Sequence, residues 1–205
     1  MTVDVVIAVR GGAGAKSRCA GLIDGAALAA AMLRDMVEAA RACPHVAAVH
    51  VVTPTPEIAA GLPVHLIVEP AAAGVNAAFE RAQAALPPET TLVLLPGDLP
   101  QLRADDLSAL IAAHEPGGVT VVPSATDAGT GAIVLTAGHA MRFAFGPGSF
   151  ARHMAEPGAR RFDRAAIGED LDRPEDAARA LVMGGRHSRA CLSAQIRAGQ
   201  MQEAI

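Results

Sequence analysis

One lysine, Lys16, stands among seventeen basic side chains that are otherwise all arginine. It lies in Val9-Arg10-Gly11-Gly12-Ala13-Gly14-Ala15-Lys16-Ser17-Arg18, directly after the apolar run Val3–Val9. A glycine-rich turn leaving a strand exposes backbone N–H groups that can surround phosphate oxygens. A lysine there adds a compact cation on a flexible stem. Gly11, Gly12, Gly14, Lys16 and Arg18 are therefore candidate phosphate contacts; the rival reading is a chance lysine in a surface loop. The P-loop pattern fails, because Ala15 and Arg10 stand where it requires glycine. The dinucleotide fingerprint begins at Gly12 and Gly14 but ends on Ser17, and Val52-Thr53 offers no acid for a ribose. Both observations argue against a hydride-transfer enzyme.

Carboxylates form the second group. Leu95-Pro96-Gly97-Asp98-Leu99-Pro100 puts Asp98 at the carboxyl end of an apolar run. Hard cations take one or two carboxylates together with phosphate oxygens and water. Asp98 suits that role, or it is a turn aspartate. In Glu169-Asp170-Leu171-Asp172-Arg173-Pro174, an extended backbone would point Asp170 and Asp172 to one side, completing a metal site with Asp98. Asp172 is also placed to cap a helix starting near Pro174.

A third group is Phe145-Gly146-Pro147-Gly148-Ser149-Phe150-Ala151-Arg152-His153. Exposed amides, a hydroxyl, an Arg and a His near a helix start make a seat for carboxylate or phosphate. Thr126–Gly131 reads as a flexible loop able to close over a ligand. Gly74-Val75-Asn76 opens a helix, where Asn76 either reads a base edge or caps.

Positioning these groups requires alternating strands and helices. Strands are predicted at Val3–Val9, Val46–Thr53, Val64–Val68, Thr91–Leu95, Val119–Val122, Ile133–Leu135 and Arg161–Ile167. Helices are predicted from Asp24 to about Ala42, then at Val75–Leu86, Ala104–His114, Phe150–Ala155 and Pro174–Met183, with a short turn at Pro56–Gly61. Arg34, Asp35 and Glu38 mark one polar side of the first helix. The rhythm is that of an α/β fold with a mostly parallel sheet, and ligands in such sheets bind beyond the strands' carboxyl ends. At 205 residues, with about half of them apolar, one main domain over 1–183 is expected, followed by a C-terminal helix or tail at 184–205 packed on it. That tail also offers a surface for a homodimer.

Composition narrows the function. A net charge of −4 and the lack of Trp and Tyr argue against nucleic-acid binding. Cys19, Cys43 and Cys191 form no CxxC pair, which speaks against a zinc site and fits a reducing cytoplasm. No signal peptide or membrane span is apparent. A glycine-rich loop with Lys, a strand-end Asp, a distal Asp-x-Asp and an anion-binding loop together suit nucleotidyl transfer.

The same residues resemble the 2-phospho-L-lactate guanylyltransferase family (CofC/FbiD), part of the molybdopterin-guanylyltransferase-like group acting in coenzyme F-420 synthesis. The matching motifs are Ala15-Lys16-Ser17-Arg18, Ala31-Met32-Leu33-Arg34-Asp35, Val51-Val52-Thr53-Pro54, Gly74-Val75-Asn76-Ala77-Ala78, Leu95–Pro100, Phe143–His153 and Asp170–Asp176. The resemblance implies a three-layer sandwich of nucleotide-diphospho-sugar transferase-like (MobA-like) fold. It implies transfer of GMP from GTP to 2-phospholactate, phosphoenolpyruvate or 3-phosphoglycerate, with release of pyrophosphate. By position, Lys16 and Asp98 would be catalytic. Asp98, Asp170 and Asp172 would bind Mg²⁺, while Gly74, Asn76 and Pro96 would lie near the nucleotide. Thr130, Gly131, Gly146 and Ser149 would form the acceptor seat, where His153 stands at a matching place without a defined role.

Three departures stand out. Arg10 replaces a customary Lys, Arg173 a customary Thr, and Gly131 a customary Asn. Gly131 is expected to leave space for a longer acceptor such as 3-phosphoglycerate. The competing readings are a nucleotidyltransferase for a molybdopterin or sugar phosphate, a glycosyltransferase sharing the Asp-x-Asp site, and a non-catalytic nucleotide-binding subunit.

Overall fold

A computed structural model describes residues 1–11, 24–171 and 174–203. Its elements run β1 (Val3–Ala8), α1 (Gly25–Ala42), β2 (Val46–Thr53), a 3-10 turn (Pro56–Ala59), β3 (His65–Val68), α2 (Val75–Ala85), β4 (Leu92–Pro96) and α3 (Ala104–Ala113). Then follow β5 (Val119–Pro123), β6 (Thr130–Leu135), α4 (Ser149–His153), β7 (Ala159–Arg161), α5 (Ala165–Gly168), α6 (Pro174–Met183) and α7 (Arg186–Glu203).

The strands form one seven-stranded sheet in the order β3-β2-β1-β4-β6-β5-β7. All pairs are parallel except β4–β6 and β5–β6, so β6 alone runs backwards. The central strands are apolar throughout because both faces are covered. Val5, Ile7, Val93 and Leu95 point into a core shared with α1 and α3, which supply Leu33, Met36, Leu107 and Leu110. The alternating positions Val6, Ala8, Leu92 and Leu94 meet Phe79 of α2 and the segment carrying Phe143 and Phe145. Three of the five Phe residues thus cluster in one layer, with ring centroids 4.9 to 6.4 Å apart. This is the expected three-layer α/β sandwich.

Two elements differ from the sequence reading. The strand expected at Arg161–Ile167 is instead a short edge strand, β7, followed by the helical turn α5. Phe162 and Ile167 are five residues apart, so a continuous strand would send them to opposite faces. Both pack on the same core, which only a turn between them permits. The polar side expected for α1 is also partly wrong: Asp35 is only 6% exposed. Its carboxylate accepts from His187 N–H, Ser188 N–H and the Ser188 hydroxyl, at 3.0, 2.8 and 2.6 Å. An acid on α1 therefore supplies the N-terminal donors of α7 with an acceptor and docks the C-terminal helix, with Leu28, Met32 and Leu192 packed beside it. The Asp24 cap of α1 is as expected, accepting from Ala26 N–H and Ala27 N–H.

Candidate active site

The chain order places β2 and β3 on one side of β1 and β4 on the other. The exits of β1 and β4 consequently diverge, and a cleft opens at that switch point. Because β6 is antiparallel, its first residue, Thr130, starts at this same edge. A cavity of about 490 Å³ forms there, and Arg10, Asp98, Asp127, Thr130, Gly146 and Asp170 are among the residues that line it. Gly97 makes the convergence possible. Its N–H donates to the Ala8 carbonyl at 2.8 Å. A Cβ at that position would stand 2.7 Å from the Val9 Cβ, so only glycine lets the two exits approach.

Asp98 and Asp170 come from segments 72 residues apart in sequence and line the same cavity. A backbone bond from Leu171 N–H to the Asp98 carbonyl, 3.0 Å long, holds the two segments together. The neighbouring Glu169 accepts from the Gln101 amide and pairs with Arg179. Two acidic residues lining one polar cavity fit a hard divalent cation, whose remaining ligands are phosphate oxygens and water. Asp172 lies outside the described residues, as do Gly12, Gly14, Lys16, Arg18 and Arg173. Gly11 is described and buried, and a Cβ there would meet Thr55. Pro96 lines the main cavity and Gly74 a smaller neighbouring one.

The opposite wall is a hydrogen-bonded assembly. His153, 1% exposed, accepts at Nε2 from Ala144 N–H at 3.0 Å. Burial, helped by neighbouring Arg152, pushes its pKa down to about 4, so the ring is neutral near pH 7. A neutral ring accepting at Nε2 carries its proton on Nδ1. That Nδ1–H therefore donates to the Thr130 hydroxyl at 2.8 Å. The Ser149 hydroxyl donates to the same oxygen at 3.0 Å. With both lone pairs of Thr130 occupied, its own proton is left for an acceptor in the cavity. Thr130, Gly131 and Gly146 line the cavity; Ser149 and His153 stand behind Thr130 and aim it.

The surrounding loops are pinned. Asn76 does not cap α2; its amide accepts from Phe145 N–H at 2.6 Å and donates to the Phe145 carbonyl at 3.2 Å. Arg152 holds the carbonyls of Ala144 and Pro147. The loop expected to be flexible, Thr126–Gly131, is bonded to the α4 start through Gly148 N–H to the Asp127 carbonyl and Phe150 N–H to the Ala128 carbonyl. Gly131 does not open acceptor space either. A Cβ there would run into the Ile167 carbonyl and the Gly168 Cα, so the position is closed by α5. Asp127 is a lining carboxylate that the sequence did not single out; its signal is the Asp-x-Gly turn, in which Asp127 accepts from Gly129 N–H at 2.8 Å.

Residues 3–195 match the family model described as guanylyl transferase, CofC like. The chain belongs to that family. It is 40% identical over 190 residues to a 3-phospho-D-glycerate guanylyltransferase of Phenylobacterium zucineum, covering 85% of this chain and 87% of that one. It is 36% identical over 205 residues to a phosphoenolpyruvate guanylyltransferase of Rubrobacter xylanophilus, covering 90% and 96%. Among solved structures, a nucleotide-diphospho-sugar transferase-like protein from Desulfovibrio desulfuricans superposes with a TM-score of 0.70, at 15% identity over 97% of this chain and 98% of that one. That last likeness speaks for the fold alone. No helix of the described residues is long and apolar enough to cross a membrane.

Proposed function

We propose that this CofC-like guanylyl transferase moves GMP from GTP to the phosphate of a small phosphorylated carboxylic acid, as a step toward coenzyme F-420. An oxygen of the acceptor phosphate attacks the α-phosphorus of GTP. The bond from that phosphorus to the oxygen bridging to the β-phosphate breaks, and pyrophosphate leaves with the electron pair. Catalysis of this kind is mostly alignment and charge neutralisation. The observation that carries the reading is the pairing of two carboxylates, Asp98 and Asp170, with an obligate hydroxyl donor, Thr130, in one cavity.

Asp98 and Asp170, with Asp172, are the residues to hold Mg²⁺, which neutralises phosphate charge when bound. Lys16 and the glycine-rich segment around it hold the GTP phosphates. The Thr130 hydroxyl and the backbone at Gly146 receive the acceptor's carboxylate. Arg10 lines the main cavity where it meets the smaller one, and so suits a phosphate held in the main cavity. Of the acceptors, 3-phospho-D-glycerate comes first because the relative at 40% identity bears that name, with phosphoenolpyruvate and 2-phospho-L-lactate as the others. The test is pyrophosphate release from GTP and Mg²⁺ with each acid offered separately. Release with one acid identifies the acceptor; no release with any, while GTP binds, overturns the assignment.

A further inference from the structure

A second cavity, about 190 Å³, adjoins the first and shares Ala8, Val9, Arg10 and Val75 with it. Its other walls are small, including Pro54, Ala72 and Ala78. Gly74 lines it with φ +93°, a backbone conformation that favours glycine. Glu69 lines this small-walled slot and is only 7% exposed. The Glu69 backbone N–H completes the β2–β3 edge through Thr53. No donor among the described residues hydrogen-bonds its side chain. Burial raises its pKa, and the more distant Arg81 and Arg10 offset part of that cost. The carboxylate keeps only a sliver of solvent contact and no protein donor, so a ligand in the slot can supply the donors it lacks.

The slot's size and small walls fit a flat heteroaromatic ring. A carboxylate is an acceptor at both oxygens, so the ring must present two adjacent N–H donors. Guanine does so at N1–H and the 2-amino group. Adenine has an acceptor at N1 and no 2-amino group, cytosine has acceptors at N3 and O2, and uracil has one N–H between two carbonyls. Resting on the guanylyl-transfer reading, we propose that Glu69 is the residue that selects the base, its carboxylate accepting from guanine N1–H and the 2-amino group in the cavity beside Gly74.

The full-length protein is assayed with GTP, ITP, XTP and ATP and one acid acceptor, as wild type and as Glu69→Gln. ITP lacks the 2-amino donor, so wild type should use it roughly tenfold or more less well than GTP, the worth of one hydrogen bond to a charged group. Glu69→Gln should lose GTP efficiency by about ten- to a hundredfold and gain on XTP. Xanthine keeps N1–H but carries an acceptor at position 2, which matches the amide's one acceptor and one donor. A merely structural role would lower every nucleotide alike. Equal use of GTP and ITP by the wild type overturns the proposal without any substitution, as does a Glu69→Gln variant with an unchanged GTP:XTP ratio. Calorimetry with GMP and XMP reads the same preference in the absence of any acceptor. If that preference is present while no acid is guanylylated, the acceptor assignment fails and the base assignment stands.

Discussion

At the scale of single residues, the active cavity depends on which proton sits where. The Thr130 hydroxyl has its proton directed outward because His153 and Ser149 both donate to its oxygen. Thr130→Val should raise the KM for the acid roughly ten- to a hundredfold and leave the KM for GTP nearly unchanged, the pattern for loss of one hydrogen bond to a carboxylate. His153→Asn should retain more activity than His153→Leu, since its amide places an N–H near the Nδ1 position. In a Thr130→Val background the difference between the two should vanish, and a double-mutant cycle measures this. Asp98→Asn should lower the turnover number by about a hundredfold or more with the protein still folded. Intact turnover there would remove Asp98 from the metal site.

At the scale of elements, helix docking and strand approach set where the carboxylates stand. Asp35 joins α1 to the start of α7 with three hydrogen bonds. Asp35→Ala leaves those donors without an acceptor and should destabilise the fold by about 1–3 kcal/mol, read as a lower urea midpoint. Protease cleavage near Gly185 should accelerate in the same variant. The contact between β6 and α5 is tighter. Gly131→Asn forces the Ile167–Gly168 backbone away and, with it, the neighbouring Asp170. The expected cost is about 1–3 kcal/mol for overpacking, together with weaker metal dependence in the transfer assay. A variant as stable and as active as wild type would show that α5 shifts freely.

At the scale of the whole molecule, two neutral histidines tie stability to pH. His153 and His114 both have depressed pKa values through burial, His153 at about 4. In the unfolded chain they take up protons near pH 6.5, whereas the native state holds them neutral. Their stabilising contribution is complete above about pH 6.5. It falls as pH drops from there toward 4, because only the unfolded state gains protons in that window. The thermal midpoint should decline over the same range, and less steeply in His153→Asn.

The alternation of apolar strands and alanine-rich helices was legible in the chain because those patterns are local. Asp24 capping α1, the span of β2 and the span of α6 all follow from neighbouring residues. So did the candidacy of Asp98, from its place at a strand end, and of Asp170, from its Asp-x-Asp spacing with Asp172. Only the tertiary structure decided that Gly131 is filled by α5, that Ser149 and His153 serve Thr130 from behind, and that Asn76 belongs to Phe145. Each of these depends on a partner many residues away, and spacing along one segment carries no information about it. Glu69 is the sharpest case. In sequence it is an ordinary acid at the end of a short strand, and only the packing around it shows a largely buried acid lining a small-walled cavity.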